Sequence, residues 1–523
     1  MSDGYAAGFT VQARTILELG AELISSDSIA LYELIKNAYD ARSRRVTISI
    51  TSVFSHRDYR NACNRIAVQR DQLAKGEVLE SDAVAGQTAD ILAQVDISAP
   101  ERDRHLFAET VNGAASLADL RRRLDAAYDA ANLIAIADTG SGMSLRDLHE
   151  SFLTIGTRSR LDQPSERYVG GKGIGRLSAM RLADRMTVVT SRAGETYWNT
   201  LDIDWRLFTH GVSKRLEDVR LEPEIGDQKF APDEHGTTIN LRGLKADWSW
   251  ERVDRLARLE LDRLFDPFSN TARYPVLISV NGRPVTIPSF DRALLSEAQA
   301  RAQANYYLDD EGQPHFVFQI EYLAYGRSKT IHWDQSDMIG ITSKEDISVA
   351  AMRSLGPFTA HLHWFNRQKL KAIEGVGTRA VVRDLVNSWA NGLLMYRDGF
   401  RVNPYGAADD DWLGIDFKAL GSSGYKVNRK QLIGAVNISA SGNPQLIDQT
   451  NREGLRSNEE RRLLILLLQK AVTEELRNFF NAVDREIKKT TRLDVKDTTA
   501  FLESVDVPLS FHPAATRVLG LVT

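Results

Sequence analysis

Leu31-Tyr32-Glu33-Leu34-Ile35-Lys36-Asn37-Ala38-Tyr39-Asp40-Ala41 is the stretch from which the rest of the chain is read. Leu31, Leu34, Ile35 and Ala38 recur at helical spacing, and Ser and Asp residues just ahead can cap, so a helix is expected over 26–41. Glu33, Asn37 and Asp40 fall at i, i+4 and i+7, which puts three polar side chains on one helix face. Taken alone, such a triplet also suits a solvated face. The neighbouring sequence decides between the two.

Downstream, Arg45–Ile50 alternates like a strand. Residues from about 51 to 131 are polar, Ala-rich and mostly helical in pattern, with a helix expected over Leu120–Ala131; they read as an insertion. Leu133–Ala137 is a short apolar strand that runs into Asp138-Thr139-Gly140-Ser141-Gly142. A carboxylate buried at a strand end needs a hydrogen-bond donor. An adenine amine is one, whereas guanine presents a carbonyl oxygen there. Gly140 and Gly142 would let backbone come close to a ligand. Gly170-Gly171-Lys172-Gly173-Ile174-Gly175-Arg176 then opens into a helix expected over Ile174–Ala183. Glycines leading into a helix N-terminus make an anion site. Gly173 after Lys172 excludes a Walker A loop, and no strand precedes the segment as a dinucleotide fingerprint requires. Strands are expected at Met186–Thr190, Trp198–Ile203 and Thr237–Arg242. With no regular βαβ repeat, the fold class is α+β, a sandwich in preference to a doubly wound sheet.

The Glu33–Asp40 box, Asp138-Thr139-Gly140-Ser141-Gly142-Met143, Gly170–Gly175 and Gly236-Thr237-Thr238-Ile239 together resemble, in order and local spacing, the signature boxes of the GHKL ATPases. That superfamily holds gyrase B, the ninety-kilodalton heat-shock chaperone, histidine kinases, MutL and MORC. The resemblance implies ATP and Mg²⁺ as cofactors and a Bergerat α/β sandwich. It implies that Glu33 activates the attacking water, Asn37 holds Mg²⁺, Asp138 reads adenine with help from Thr238, and Asp40 supports the site. Gly140, Gly142 and Met143 would line the pocket, and Gly171, Lys172, Gly173, Ile174 and Gly175 would form part of a lid. Ile155-Gly156-Thr157-Arg158-Ser159 resembles the first half of that lid in the chaperone and MORC branches, which adds Thr157 and Arg158. The separation of Asp40 from Asp138 is longer than the family pattern, so the insertion carries something particular to this chain.

A second region begins near Leu244, with strand-like pieces at Val276–Val280, Phe316–Tyr322, Ala360–Phe365, Gly392–Tyr396 and Leu432–Ile438. A long helix is expected over 458–488, opened by a Ser457/Glu460 capping box. Gln449-Thr450-Asn451-Arg452-Glu453-Gly454-Leu455 resembles the chaperone's middle-domain loop that delivers an arginine to the γ-phosphate, which makes Arg452 the candidate; Lys426 and Lys430 are rivals from a comparable loop. The expected organisation is an ATP-binding domain over 1–243, an α/β transducer of the middle-domain or S5-like type over 244–457, and a C-terminal helical segment over 458–523. No histidine precedes Glu33, which disfavours the histidine-kinase branch.

The 523 residues suit several domains. A net charge of -4 offers no general attraction to nucleic acid. The single Cys63 excludes an intrachain disulfide, and with no secretory signal or apolar span the expected location is the cytoplasm, away from membranes. Expected partners are a second copy in an ATP-dependent homodimer, and either nucleic acid or a client polypeptide.

Overall fold

A computed structural model describes residues 11–24, 26–154, 175–209, 215–269, 273–420, 427–449 and 453–504. The chain divides into two compact units. One holds the described residues up to Arg292 together with 395–404 and 437–456; the other holds 293–394, 405–436 and the residues from Ser457 onward.

The first unit opens with α1 (Arg14–Leu23) and α2 (Asp27–Asp40). Ser26 caps α2, its hydroxyl accepting from the Ile29 amide at 3.3 Å, as the sequence leads one to expect. The helix ends where the Ala41 amide bonds back to Asn37 and Arg42 turns to φ 59°. An eight-stranded sheet follows, built from β1 (Val46–Thr51), β2 (Leu133–Asp138), β3 (Ala183–Ser191), β4 (Tyr197–Asp204), β5 (Glu224–Gln228), β6 (Gly236–Leu244), β7 (Val276–Val280) and β8 (Arg283–Val285). Its order is β5-β4-β3-β6-β2-β1-β7-β8. Leu31, Leu34 and Ile35 of α2 pack into one core with Ile48, Ile136 and Val188 of the strands. Each such buried aliphatic stabilises by about 1.5–3 kcal/mol, so Ile35→Ala costs about 2–5 kcal/mol.

Two sequence expectations change here. Val276–Val280, read as part of the second region, lies in the first sheet, parallel to β1 with Val46 opposite Val276. The helix expected over 174–183 is a 3₁₀ turn at Gly175–Ser178 and one α-turn at Ala179–Leu182. Antiparallel pairing of Ala183 with Leu244 captures the chain as β3 and stops the helix.

The insertion lies between β1 and β2, which pair directly, Thr51 opposite Leu133. Its ends are therefore adjacent, and a long insert there costs little closure entropy. It forms four helices, α3 (His56–Ala74), α4 (Glu80–Ala93), α5 (Glu101–Val111) and α6 (Leu117–Ala131). They enclose a separate core around Phe54, Ile66, Ile91, Phe107, Leu120 and Leu124, and Cys63 belongs to it. Burial pushes the Cys63 thiol up, away from reactivity. Asn132 clamps the base of the insert: its carbonyl accepts from the Val53 and Phe54 amides at 2.7 and 3.2 Å, and its amide donates to Phe54 O and Tyr128 O.

In the second unit, β9 (Ala300–Leu308), β10 (Pro314–Tyr322), β11 (Arg327–Trp333) and β12 (Phe358–Trp364) lie in the order β11-β10-β9-β12. The sheet continues with β15 (Leu432–Ile438) and β13 (Gly392–Arg397), whose last residues belong to the first unit, as does the short β14 (Phe400–Arg401) that returns as a hairpin on β13. The expected long helix runs as Glu459–Lys470, a π-turn at Ala471–Glu475, and Leu476–Ser504. Its cap is Asn458, which accepts from Arg461 N at 2.9 Å, and not the expected Ser457/Glu460 pair. Asn458 is extended at φ -148°, so the helix starts one residue late and Glu460 accepts instead from Ser354 Oγ at 2.6 Å.

Candidate active site

Helix α2 presents two polar stripes, each at i, i+4, i+7 spacing and set one residue apart. The first is Glu33, Asn37 and Asp40. Glu33 and Asp40 are buried, at 4% and 7% exposure, and Asn37 is half-buried. The second is Tyr32, Lys36 and Tyr39, and it meets residues from a distant part of the chain. Tyr32 Oη donates to Arg401 O, and the Tyr39 ring stands edge-on to Phe400 at 4.7 Å and to Tyr274 at 5.4 Å. Lys36, 5% exposed, shares with Glu33 a small cavity, with room for about one water, that Arg401, Asn403, Asp448 and Gly454 also line.

Asp448 and Gly454 flank the loop singled out for Arg452. Its two ends are joined, Gln449 N donating to Gly454 O at 2.7 Å and Arg456 N to Ile447 O at 2.7 Å. Arg397 pairs with Asp448 at 3.1 Å with both side chains largely buried. Arg452 itself lies outside the described residues, as do Thr157, Arg158, Gly171, Lys172, Gly173, Ile174 and Lys426. Gly175 opens the 3₁₀ turn. Lys430 belongs to the second unit, where its ammonium donates to Asn391 Oδ1 at 2.5 Å.

Asp138 ends β2, flanked by Val46 of β1 and Thr237 of β6. The turn after it is sewn to the end of α2: Ser141 N donates to Ala41 O at 2.9 Å and Thr139 N to Ser43 Oγ at 2.9 Å. This stitching needs glycine. A Cβ on Gly140 would stand 2.6 Å from Ala41 O, and one on Gly142, at φ 64°, only 1.8 Å from Ser191 O. The close approaches the two glycines permit are thus to the protein's own backbone. Thr190, fully buried, accepts from Met143 N at 3.0 Å and meets Gly236 O and Thr237 Oγ1 at 2.9 Å; Asn199 Nδ2 donates to Met143 O at 3.2 Å. Met143 is held from both sides.

Burial pushes the Asp138 carboxyl up to about 6, against the opposing pull of the Gly140 and Thr237 amides and of His235. Gly140 N donates to Asp138 Oδ1 at 2.6 Å, and His235 Nδ1 donates to Gly140 O at 2.6 Å. When ionised, a carboxylate has lone pairs beyond those two amides with which to accept from an amine.

Thr238, expected beside Asp138, pairs with Ala137. Side chains alternate along a strand, so Thr238 points to the other face and Thr237 shares the face of Asp138. The signal for Thr237 was present, since it directly follows Gly236, but only the register settles the parity. Lys36, Ser43 and His235 were also missed; Lys36 was hidden because its partners lie far along the chain.

Residues 122–237 match the family of histidine kinase-, DNA gyrase B- and HSP90-like ATPases. The chain carries a GHKL ATPase module. It is similar to the putative type II restriction enzyme HgiDII of Herpetosiphon aurantiacus, 32% identical over 174 residues, which are 32% of this chain and 26% of that protein. It is similar also to the chaperone protein HtpG of Methylorubrum extorquens (strain PA1), 36% identical over 116 residues, 19% of this chain and 18% of the chaperone. The likeness thus spans about a quarter of the first relative and under a fifth of the second. The family match takes in Asp138, Gly140, Gly142 and Gly236 of the GHKL module but not α2. The insertion separates α2 from them in sequence, and the β1–β2 pairing rejoins it in space.

Proposed function

We propose that this protein is a Mg²⁺-dependent ATPase that works as an ATP-gated dimeric clamp, of the MORC-like or chaperone-like kind. The observation that carries the reading is the stitching of the α2 terminus to the Asp138 turn, which gathers an adenine acceptor and an acidic stripe at one end of the sheet.

In this reading Asp138 accepts from the adenine amine, Thr237 supports it across the strands, and Gly140, Gly142 and Met143 shape the wall. Glu33 takes the proton of the water that attacks the γ-phosphorus, as the bond to the β-phosphate oxygen breaks and ADP leaves. Its buried position keeps it in place for general-base work. The donor set suits a hard cation: Asn37 offers an amide oxygen between two buried carboxylates on the same stripe. Asn37 would hold Mg²⁺, which when bound supplies positive charge to the phosphate oxygens. Arg452 would add a guanidinium at the γ-phosphate. The anchored ends of its loop, beside the cavity that Glu33 lines, favour it over Lys430.

A non-hydrolysable ATP analogue should drive monomers to dimers, or draw together labelled N-termini in an existing dimer, while ADP should not. Sedimentation with distance measurements reads both. Equal mass and separation in all three nucleotide states would remove the clamp. The likeness to the restriction enzyme favours a second reading, a nucleotide-sensing subunit of a larger bacterial complex in restriction or phage defence. Turnover stimulated by DNA and not by unfolded polypeptide would favour it over a chaperone.

A further inference from the structure

Lys36 takes no part in the nucleotide stripe, yet it is buried, one helical turn beyond Glu33 on α2. Residues three apart on a helix are neighbours. Glu33 and Lys36 also wall the same one-water cavity, together with Arg401 and Asp448 from far along the chain. The charge of Lys36 reaches those downstream segments. Burial pushes the Asp398 carboxyl up, and Ala440 N, Arg397 and Lys36 pull against it. Arg397 in turn pairs with Asp448 at 3.1 Å. Asp448 leads into the loop that is closed by Gln449 N on Gly454 O. Lys36 therefore adjoins both the carboxylate assigned as the base and the acid that anchors the loop assigned to the γ-phosphate.

Folding alone does not call for such an arrangement. Taking a lysine out of water is costly, and apolar side chains of similar volume in place of a buried ionic set serve stability as well or better. What charges supply and packing does not is directed orientation. Lys36, Arg397 and Arg401 balance Glu33, Asp398 and Asp448 within this one neighbourhood. A reacting group displaced by about 1 Å can lose on the order of 100-fold in rate, so a base benefits from a fixed cation beside it.

We propose that Lys36 is a positioning residue for ATP hydrolysis: its ammonium holds the Glu33 carboxylate in line and ties α2 to Asp448, so that the base and the 449–454 loop are set together. This rests on the reading of Glu33 as the base and of that loop as the source of the γ-phosphate arginine. Lys36 acts through Glu33 and Asp448 and touches no nucleotide. Its loss should lower kcat and leave ATP affinity in place.

The test pairs phosphate release with calorimetric titration of a non-hydrolysable ATP analogue, on the full chain. Lys36→Met keeps the reach of the side chain and removes its charge. It should lower kcat by roughly 10- to 100-fold while the analogue binds within about threefold of the parent. Lys36→Arg, which keeps the charge, should turn over at least about fivefold faster than Lys36→Met. Asp448→Asn should lower kcat as Lys36→Met does, and the double variant should fall no more than about threefold below the slower single, since the two act as one unit. Thermal melting establishes which variants fold; if Lys36→Met does not, Lys36→Gln takes its place in each comparison. Glu33→Gln separates the proposal from the reading beneath it. Lost turnover in Glu33→Gln with parental turnover in folded Lys36→Met removes Lys36 alone. Parental turnover in Glu33→Gln places the base elsewhere, and the proposal falls with it. It is overturned too if Lys36→Met loses analogue affinity as much as kcat, if Lys36→Arg is no faster than Lys36→Met, or if the Lys36 and Asp448 losses simply multiply.

Discussion

Helices α2 and α6 both carry acidic residues, and the two sets are treated in opposite ways. On α6, Asp119 meets Arg123 at 2.9 Å and Asp125 meets Arg121 at 2.8 Å, on a face open to water. The Arg123 hydrogen bond, helped by Ala115 N and Arg122, holds the Asp119 carboxyl down to about 2. On α2, Glu33 and Asp40 are buried, and beside the end of that helix Asp138 is pushed up to about 6. An acid paired with arginine in solvent is settled and inert. One that burial pushes up, as Asp138 is, has the perturbed character common at functional sites.

The sharpest way to break this contrast is Glu33→Ala. Hydrolysis should fall by roughly 10²–10⁴-fold while ATP still binds, measured by phosphate release beside titration calorimetry. Normal turnover would move the base elsewhere. Next in size, Asp138→Asn should weaken ATP by roughly 10- to 150-fold, since an amide replaces the acceptor of the adenine amine. Unchanged affinity would take Asp138 out of the pocket.

A pH titration sharpens the same point. The ionised Asp138 is the form that accepts, so ATP affinity should be level above about pH 6 and fall by about tenfold per pH unit below it. Asp138→Asn should abolish that dependence. The sign for the empty fold runs the other way. Its raised carboxyl favours the protonated state, so the stabilising contribution of Asp138 is present at low pH and lost as pH rises through about 6. A melting temperature of the nucleotide-free protein that rose across that window in the parent relative to Asp138→Asn would contradict it.

Asn132→Ala tests whether the insertion is energetically separate. It leaves the Val53 and Phe54 amides without their acceptor and should cost about 2–4 kcal/mol of stability. ATP affinity of the folded fraction should change by less than about threefold. Smallest of all, Asp119→Ala on the solvent face of α6 should leave ATP affinity and turnover within about twofold. A larger loss in nucleotide binding from either variant would tie the insertion to the active site.

Local chemistry by itself determined a good deal here. The Glu33–Asn37–Asp40 spacing, the Ser26 cap, the apolar strand into Asp138 and the helical insertion were all legible, because each depends on neighbours within a few residues. What only the tertiary structure decided depends on pairing over long separations. The register of β2 against β6 put Thr237, and not Thr238, beside Asp138. Parallel pairing with β1 drew Val276–Val280 into the first sheet. The second stripe of α2 found Phe400, Arg401 and Asp448 more than three hundred residues downstream. Periodicity says which face of an element is polar; only the fold says which distant residues that face will meet. Here it turned the Tyr32–Lys36–Tyr39 face of α2 toward residues far along the chain.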